Sequence, residues 1–164
     1  GFHINISVKG GNCEDPLSHM IAGILAHISE LTVFLNPTVA SYERFGGPKA
    51  PEYISWSNQN RSQLIRVPAA VDAYRRAELR SPDPTTNPYL AFALLIYAGL
   101  DGIQQKLPLP APTDLNLFTA SADILAGLQR LPLTLREAAT LAANNSFVSQ
   151  YLPKTIVQTY YNQR

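Results

Sequence analysis

Arg75-Arg76-Ala77-Glu78-Leu79-Arg80-Ser81-Pro82-Asp83-Pro84-Thr85-Thr86-Asn87-Pro88 changes its period halfway, and the change divides the chain. Up to Arg80 the residues alternate, with Arg76, Glu78 and Arg80 on one face of a strand and Ala77 and Leu79 on the other. After Pro84 everything reads as helical, beginning with Asn87 as a side-chain cap and Pro88 at the first helical position. Before Arg75 the signals are mostly those of strands. Phe2 to Val8 alternates strictly, with Phe2, Ile4, Ile6 and Val8 apolar and His3, Asn5 and Ser7 sharing the opposite face. Tyr53–Ser57 and Ser62–Val67 are two further strand candidates, and Asn58-Gln59-Asn60-Arg61 between them predicts a hairpin turn.

Helices and loops fill the rest. Gly10-Gly11-Asn12 is a turn. From Pro16, Leu17, Met20, Ile21, Ile24, Leu25 and Ile28 recur at helical spacing, and Asn36-Pro37 stops that helix. Tyr42 to Pro51, with Gly46, Gly47, Pro48 and Pro51, is the loop expected to be mobile. The helix after Asn87 runs through Phe92, Leu95, Tyr97 and Leu100 and is apolar nearly all round, which predicts burial; Tyr89, Phe92 and Tyr97 read as core. Pro108, Pro110 and Pro112 predict an extended connection. Ser121 opens another helix, Thr134 and Glu137 form a capping box, and short helices follow around Phe147 and from Lys154 to Asn162. Strands first and helices after, without βαβ alternation, make an α+β class: an antiparallel sheet piece followed by a helical C-terminal half.

Composition narrows the function. Nearly half of the 164 residues are hydrophobic, enough for a sizeable core, while 15% are charged and the net charge is +1. That balance argues against a nucleic-acid or membrane-surface partner. The apolar run Tyr89–Leu100 stops at Asp101, short of a membrane span, and no basic leader precedes an apolar segment. Cys13 is alone, fits a reducing cytoplasm, and has nothing beside it to activate it. The chain opens in mid-strand at Gly1 and its first methionine is Met20, so it reads as a piece of a longer chain.

The chemistry gathers on strand faces. Arg76, Glu78 and Arg80 alone would pass for a solvated face with surface ion pairs. Arg66 between Ile65 and Val67, Arg61 in the adjacent turn and the His3-Asn5-Ser7 face change that weighing. On one sheet they would give several guanidinium forks, one carboxylate and one imidazole. A surplus of arginines suits carboxylate or phosphate oxygens, and His3 with Glu78 could supply part of a divalent-metal shell. His19 and His27 are read as packing or surface histidines, and Trp56 as core or rim.

Five collinear blocks carry a family resemblance. Phe2-His3-Ile4-Asn5-Ile6-Ser7-Val8, Asn36-Pro37-Thr38-Val39-Ala40-Ser41-Tyr42-Glu43-Arg44, Asn60-Arg61-Ser62 with Ile65-Arg66-Val67-Pro68, Arg76 to Pro84, and Asn87-Pro88-Tyr89-Leu90 with Ala98 to Ile103 resemble, in order, the C-terminal part of the glutamine synthetase catalytic domain. The resemblance covers residues 1–164. It implies that His3 and Glu78 ligate Mg2+ or Mn2+, that Ser7, Arg61, Arg66 and Arg76 serve the nucleotide and its phosphates, and that Arg44 and Arg80 hold glutamate, with Arg61 and Arg80 as the catalytic arginines. The implied reaction phosphorylates the glutamate side chain from ATP and displaces phosphate with ammonia. The implied parent is a homo-oligomer with sites between subunits, whose further metal-ligating glutamates lie upstream. The isolated chain is then expected to lack ligase activity.

Three departures qualify the implication. Asn5 stands where the family usually has a second histidine. Lys49 stands where the family's flap usually carries a glutamate, and an ammonium side chain cannot accept a proton from ammonium; Glu52 and Glu43 lie nearby but out of register. An organic amine in place of ammonia is the nearer alternative, and a non-catalytic relative the more distant one. Retention of His3, Glu78 and five arginines argues against the latter. In Asp114-Leu115-Asn116-Leu117-Phe118, Phe118 replaces a tyrosine that some bacterial members modify, and it has no hydroxyl to carry a nucleotide.

Overall fold

The computed structural model describes residues 1–10, 12–71 and 74–162. Gly11, in the predicted Gly10-Gly11-Asn12 turn, lies outside the described residues. Four three-residue strands, β1 (Ile4–Ile6), β2 (Trp56–Asn58), β3 (Ile65–Val67) and β4 (Ala77–Leu79), form one sheet in the order β1-β4-β3-β2. The helices are α1 (Pro16–Leu35), the single turn α2 (Val39–Tyr42) and the downstream α3 (Pro88–Gln105), α4 (Ala122–Ala126), α5 (Leu135–Ala143), α6 (Phe147–Tyr151) and α7 (Lys154–Tyr161). The α+β organisation, with strands before the helical half, is the one the sequence predicts.

Both long helices start where expected, at Pro16 and after the Asn87 cap, and the structure adds a cap at Asp15. The Asp15 side chain accepts from the Ser18 amide and hydroxyl at 3.4 and 2.5 Å, with Pro16 in the first turn. Asn87 accepts from the amides of Tyr89 and Leu90 at 3.0 and 3.3 Å. α1 and α3 then pack on each other along a seam without side chains. A Cβ on Gly23 would lie 2.7 Å from the Gly102 nitrogen and against the Ala98 carbonyl, and one on Gly102 would lie 2.6 Å from the Gly23 nitrogen. Two backbones therefore touch directly, a contact only glycine allows. Ile28, Leu31, Phe34, Leu94 and Leu95 close the core around this crossing, each side chain contributing about 2 kcal/mol of burial.

Three expectations are corrected. The Asn58–Arg61 segment is not a hairpin turn, because β2 and β3 run parallel, with Trp56 opposite Ile65 and Asn58 opposite Val67. Strands of three residues are short enough for the chain between Asn58 and Ile65 to double back without a long crossover. The Asn60 Oδ1 folds this return by accepting from the Ser62 amide and hydroxyl, both at 2.9 Å. Second, α3 is not buried all round. Tyr89, Phe92, Ile96 and Leu100 form an exposed stripe, because α1 covers only the opposite face; Tyr97, also partly exposed, stacks on Tyr151. Third, α1, rather than the Tyr89–Leu100 run, meets the length and composition of a membrane span. Most of its residues are packed inside the domain, which accounts for its apolarity.

The outer edge of β2 is covered by the proline connection. The Thr113 amide donates to the Trp56 carbonyl at 2.8 Å and the Trp56 indole donates to the Pro110 carbonyl at 2.8 Å. Trp56 is thus a rim residue with its polar tip satisfied.

Candidate functional site

Register places a polar row across all four strands. Asn5 faces Glu78, Glu78 faces Arg66, and Arg66 faces Ser57. The adjacent row, Ile4, Leu79, Ile65 and Trp56, lies on the opposite face, and its first three members are buried in the core. One sheet thus has an apolar face and a charged face, as the period of two dictates.

Glu78 is the hub of the charged face. Its Oε2 accepts from Arg80 at 3.1 Å and lies 3.3 Å from the Arg66 guanidinium, while its Oε1 lies 3.4 Å from His3 Nδ1. One carboxylate therefore serves two guanidinium groups and an imidazole, leaving a positive surplus. Arg80 is almost fully buried and also donates from Nε to the Arg61 carbonyl at 3.1 Å. Two polar atoms in the row, Arg66 Nε and Ser57 Oγ, are buried without a hydrogen-bond partner. Neighbouring unmet groups on a charged face are where a polar ligand gains most, since desolvation has already been incurred.

His3 is oriented by the loop that follows α2. Its Nε2 lies 3.1 Å from the Lys49 carbonyl. A carbonyl can only accept, so Nε2 carries the proton and a neutral ring turns its Nδ1 lone pair toward Glu78 Oε1. Two electron-pair donors 3.4 Å apart repel unless a proton or cation lies between them. A ring N–H bonded to a backbone carbonyl is also how metal-ligating histidines are commonly held. The pair thus fits a divalent cation as two of its ligands. Among the described residues no group of three or more His, Cys, Asp or Glu side chains gathers to hold a metal.

The other predicted residues are distributed around this hub. Arg76 donates from Nε to Asn5 Oδ1 at 3.2 Å, on the same face and one step away. Ser7 and Arg61 are exposed at its margins. Arg44 is engaged elsewhere, donating to Asp83 Oδ2 at 3.2 Å and to the Pro82 carbonyl at 3.4 Å. Burial raises the Asp83 pKa, but bonds from the Thr85 hydroxyl and amide and the charge of Arg44 outweigh it and hold this carboxyl below its usual value. Pro82 also receives the Phe2 amide at 2.9 Å, which ties the start of β1 to the Arg44 anchor.

Glu52 and Glu43 are both away from the hub's charges. Glu52 is paired with Arg130 at 2.8 Å, and Arg130 also lies over the Tyr53 ring. Glu43 is exposed and lines a separate cleft with Val39 and Tyr42. Lys49 is exposed on a loop that closes on itself through Gly46 N to Ala50 O and Ala50 N to Gly47 O. Between this loop and the Asn60–Ser62 return lies a cavity of about 210 Å³, bordered by Gly46, Glu52, Tyr53, Ser62 and Phe118. The return is anchored by Asn60 and Gln63, whose side chains donate to the Leu115 carbonyl at 2.9 and 2.7 Å.

Sequence reasoning did not single out Ser57, Asp83 or the Lys49 carbonyl. Ser57 was hidden by the hairpin expectation, since only the parallel register sets it beside Arg66. The Lys49 carbonyl is a backbone atom and leaves no trace in residue identity.

Comparisons with known proteins agree on one family. Residues 4–164 match the family model described as glutamine synthetase, catalytic domain. A glutamine synthetase of Methanosarcina mazei is 46% identical over 145 residues, covering 87% of this chain and 32% of that protein. One from Methanocaldococcus jannaschii is 44% identical over 153 residues, covering 92% of this chain and 34% of its own length. One from Staphylococcus aureus is 37% identical over 179 aligned positions, covering 100% of this chain and 40% of its own length. Among solved structures, a GmaS/ADP complex superposes with a TM-score of 0.79 at 27% identity, over 93% of this chain and 36% of that one. The chain therefore spans roughly a third of the length of the curated relatives it matches.

Proposed function

The chain belongs to the glutamine synthetase family, and we propose that it is the C-terminal portion, residues 1–164, of the catalytic domain of a cytoplasmic ATP-dependent glutamate–ammonia ligase. The observation that carries this reading is the Glu78 hub, where His3, Arg66 and Arg80 converge on one carboxylate beside two unmet polar atoms. Phosphoryl transfer asks for positioning and charge neutralisation more than covalent help, and a surplus of guanidinium groups answers that need.

In this reading His3 and Glu78 hold Mg2+ or Mn2+, and the remaining ligands come from other parts of the parent polypeptide. The bound cation would neutralise phosphate charge. Arg66, with its free Nε, and Arg76 receive phosphate oxygens; Arg61, exposed at the margin, reaches the transferring group; Ser7 serves the nucleotide. The ADP in the name of the superposed structure supports nucleotide binding in this fold. Arg80 and Arg44 orient glutamate. For Arg44 this means sharing its guanidinium between Asp83 and a carboxylate, which its five donors permit. The parent is a homo-oligomer whose sites lie between subunits.

A second reading, in which an organic amine replaces ammonia, is favoured by Lys49 and by the engagement of Glu52 with Arg130. Neither leaves a free carboxylate on the loop above His3 to draw in ammonium.

Titration calorimetry of the 164-residue chain with a non-hydrolysable ATP analogue and Mg2+ is expected to give weak binding, and turnover by this chain alone would overturn the assignment as a partial site. In the full-length parent, rates with ammonia and small primary amines separate the two readings.

A further inference from the structure

His27 lies on α1, away from the Glu78 hub, and none of the chemistry above uses it. We propose that His27 is a proton-operated pin, which in its protonated form fastens α6 to the α1–α3 pair and loosens it on deprotonation. The geometry requires two protons on the ring. Nδ1 lies 2.6 Å from Glu30 Oε1 and Nε2 lies 2.9 Å from Asp101 Oδ2. Ionised carboxylates only accept, so both contacts are hydrogen bonds only when both nitrogens carry hydrogen. A neutral ring has one N–H, and the other nitrogen would then present a lone pair to a carboxylate.

The ring also leads outward through aromatic contacts. It stacks on Phe147 of α6 with centroids 3.7 Å apart and planes at 17°. Phe147 meets Tyr151 edge-on at 5.0 Å, and Tyr151 stacks on Tyr97 of α3 at 3.9 Å. An imidazolium on a ring face adds a cation–π attraction that the neutral ring lacks. Positive charge on His27 thus strengthens the stack on Phe147, the contact through which α1 grips α6, while the bonds to Glu30 and Asp101 fix the ring in place for it.

The surroundings are consistent. Glu30 is buried on α1, Asp101 comes from α3 with Gln105 bonded to it at 2.6 Å, and Tyr161 of α7 lies near enough to Glu30 to feel its charge. α5 packs on α1 and buries Leu135, Ala138, Ala139 and Ala142, while its Arg136 and Glu137 are exposed. Burial disfavours the charged ring, yet the bonds to Glu30 and Asp101 outweigh burial and raise its pKa above the usual 6.5. The pin therefore holds fully below about pH 6.5 and is lost as pH rises through the higher folded value.

Proton NMR of the full 164-residue chain, with amide-exchange protection factors followed from about pH 5.5 to 9, tests this. His27 is expected to titrate above 6.5, with α6 protection falling about tenfold over the same interval while β4 stays constant. His27→Gln is expected to abolish the pH dependence in α6. A midpoint at or below 6.5, or α6 protection that does not follow the His27 titration, would overturn the proposal. If His27→Gln does not fold, the wild-type titration decides alone.

Discussion

The α1–α3 crossing and the charged sheet face are built on opposite terms. At the crossing, backbone touches backbone through Gly23 and Gly102, the residues around it are fully buried, and the helices carry their own hydrogen bonds. On the sheet face, one carboxylate balances two guanidinium groups, and Arg66 Nε and Ser57 Oγ are left without partners. The first region leaves no room for change because its polar groups are met. The second keeps an unbalanced positive charge and two unmet polar atoms, which cost stability and are what an anionic ligand would satisfy. Substitutions should therefore affect folding alone in one region, and binding as well as folding in the other.

The strongest test of that division is Gly102→Ala. The added carbon runs into the backbone of α1, which is not a flexible side chain that could move aside. A loss of at least about 3 kcal/mol is expected in chemical denaturation, and a loss under about 1 kcal/mol would mean the helices slide apart without strain. Leu31→Ala, at a fully buried position, should cost about 3 kcal/mol by leaving a cavity, again with little effect on ligand contacts. Glu78→Gln sharpens the other side. It leaves Arg66 and Arg80 without their counter-charge at a cost of about 2 kcal/mol, and any Mn2+ binding followed by electron paramagnetic resonance should vanish. Metal binding unchanged in that variant would remove Glu78 from the ligand set.

A smaller effect is expected from acid. Because Asp83 has a lowered folded pKa, its contribution is present above the unfolded value of about 3.9 and is lost as pH falls through the lower folded one. Asp83→Asn should flatten the melting temperature between about pH 5 and 2 relative to the parent sequence. An unchanged acid limb would show that the Arg44 anchor adds nothing to folding.

Much of this was legible in residue order. Pro16 with the apolar spacing from Leu17 to Ile28, and Asn87-Pro88, announced both long helices, and the alternation through Glu78 announced the strand that became the hub. The faces followed from the same alternation, so His3, Arg66, Glu78 and Arg80 could be grouped before any contact was known. The parallel pairing of β2 and β3 was not legible, because Asn58-Gln59-Asn60-Arg61 has the composition of a hairpin turn. What reverses it is a tertiary contact, the hold of Asn60 and Gln63 on the Leu115 carbonyl. The exposed stripe of α3 was missed for a related reason: periodicity shows which residues are apolar, while the number of neighbours a helix receives depends on the whole fold. Arg44 illustrates a third limit. Its type suggested an anion, and the anion it meets here is Asp83.

The cover over β2 has a consequence for how the sheet can grow. Pro108, Pro110 and Pro112 have no amide hydrogen to offer, so the segment that caps Trp56 cannot itself template another strand. Strand addition at that margin is blocked by composition. β1, paired among the described residues only with β4, is the margin through which this sheet can be extended, and it is also the strand that leads from His3 to Asn5. Any segment that lengthens the sheet will therefore be laid down beside the His3–Asn5 edge of the charged face.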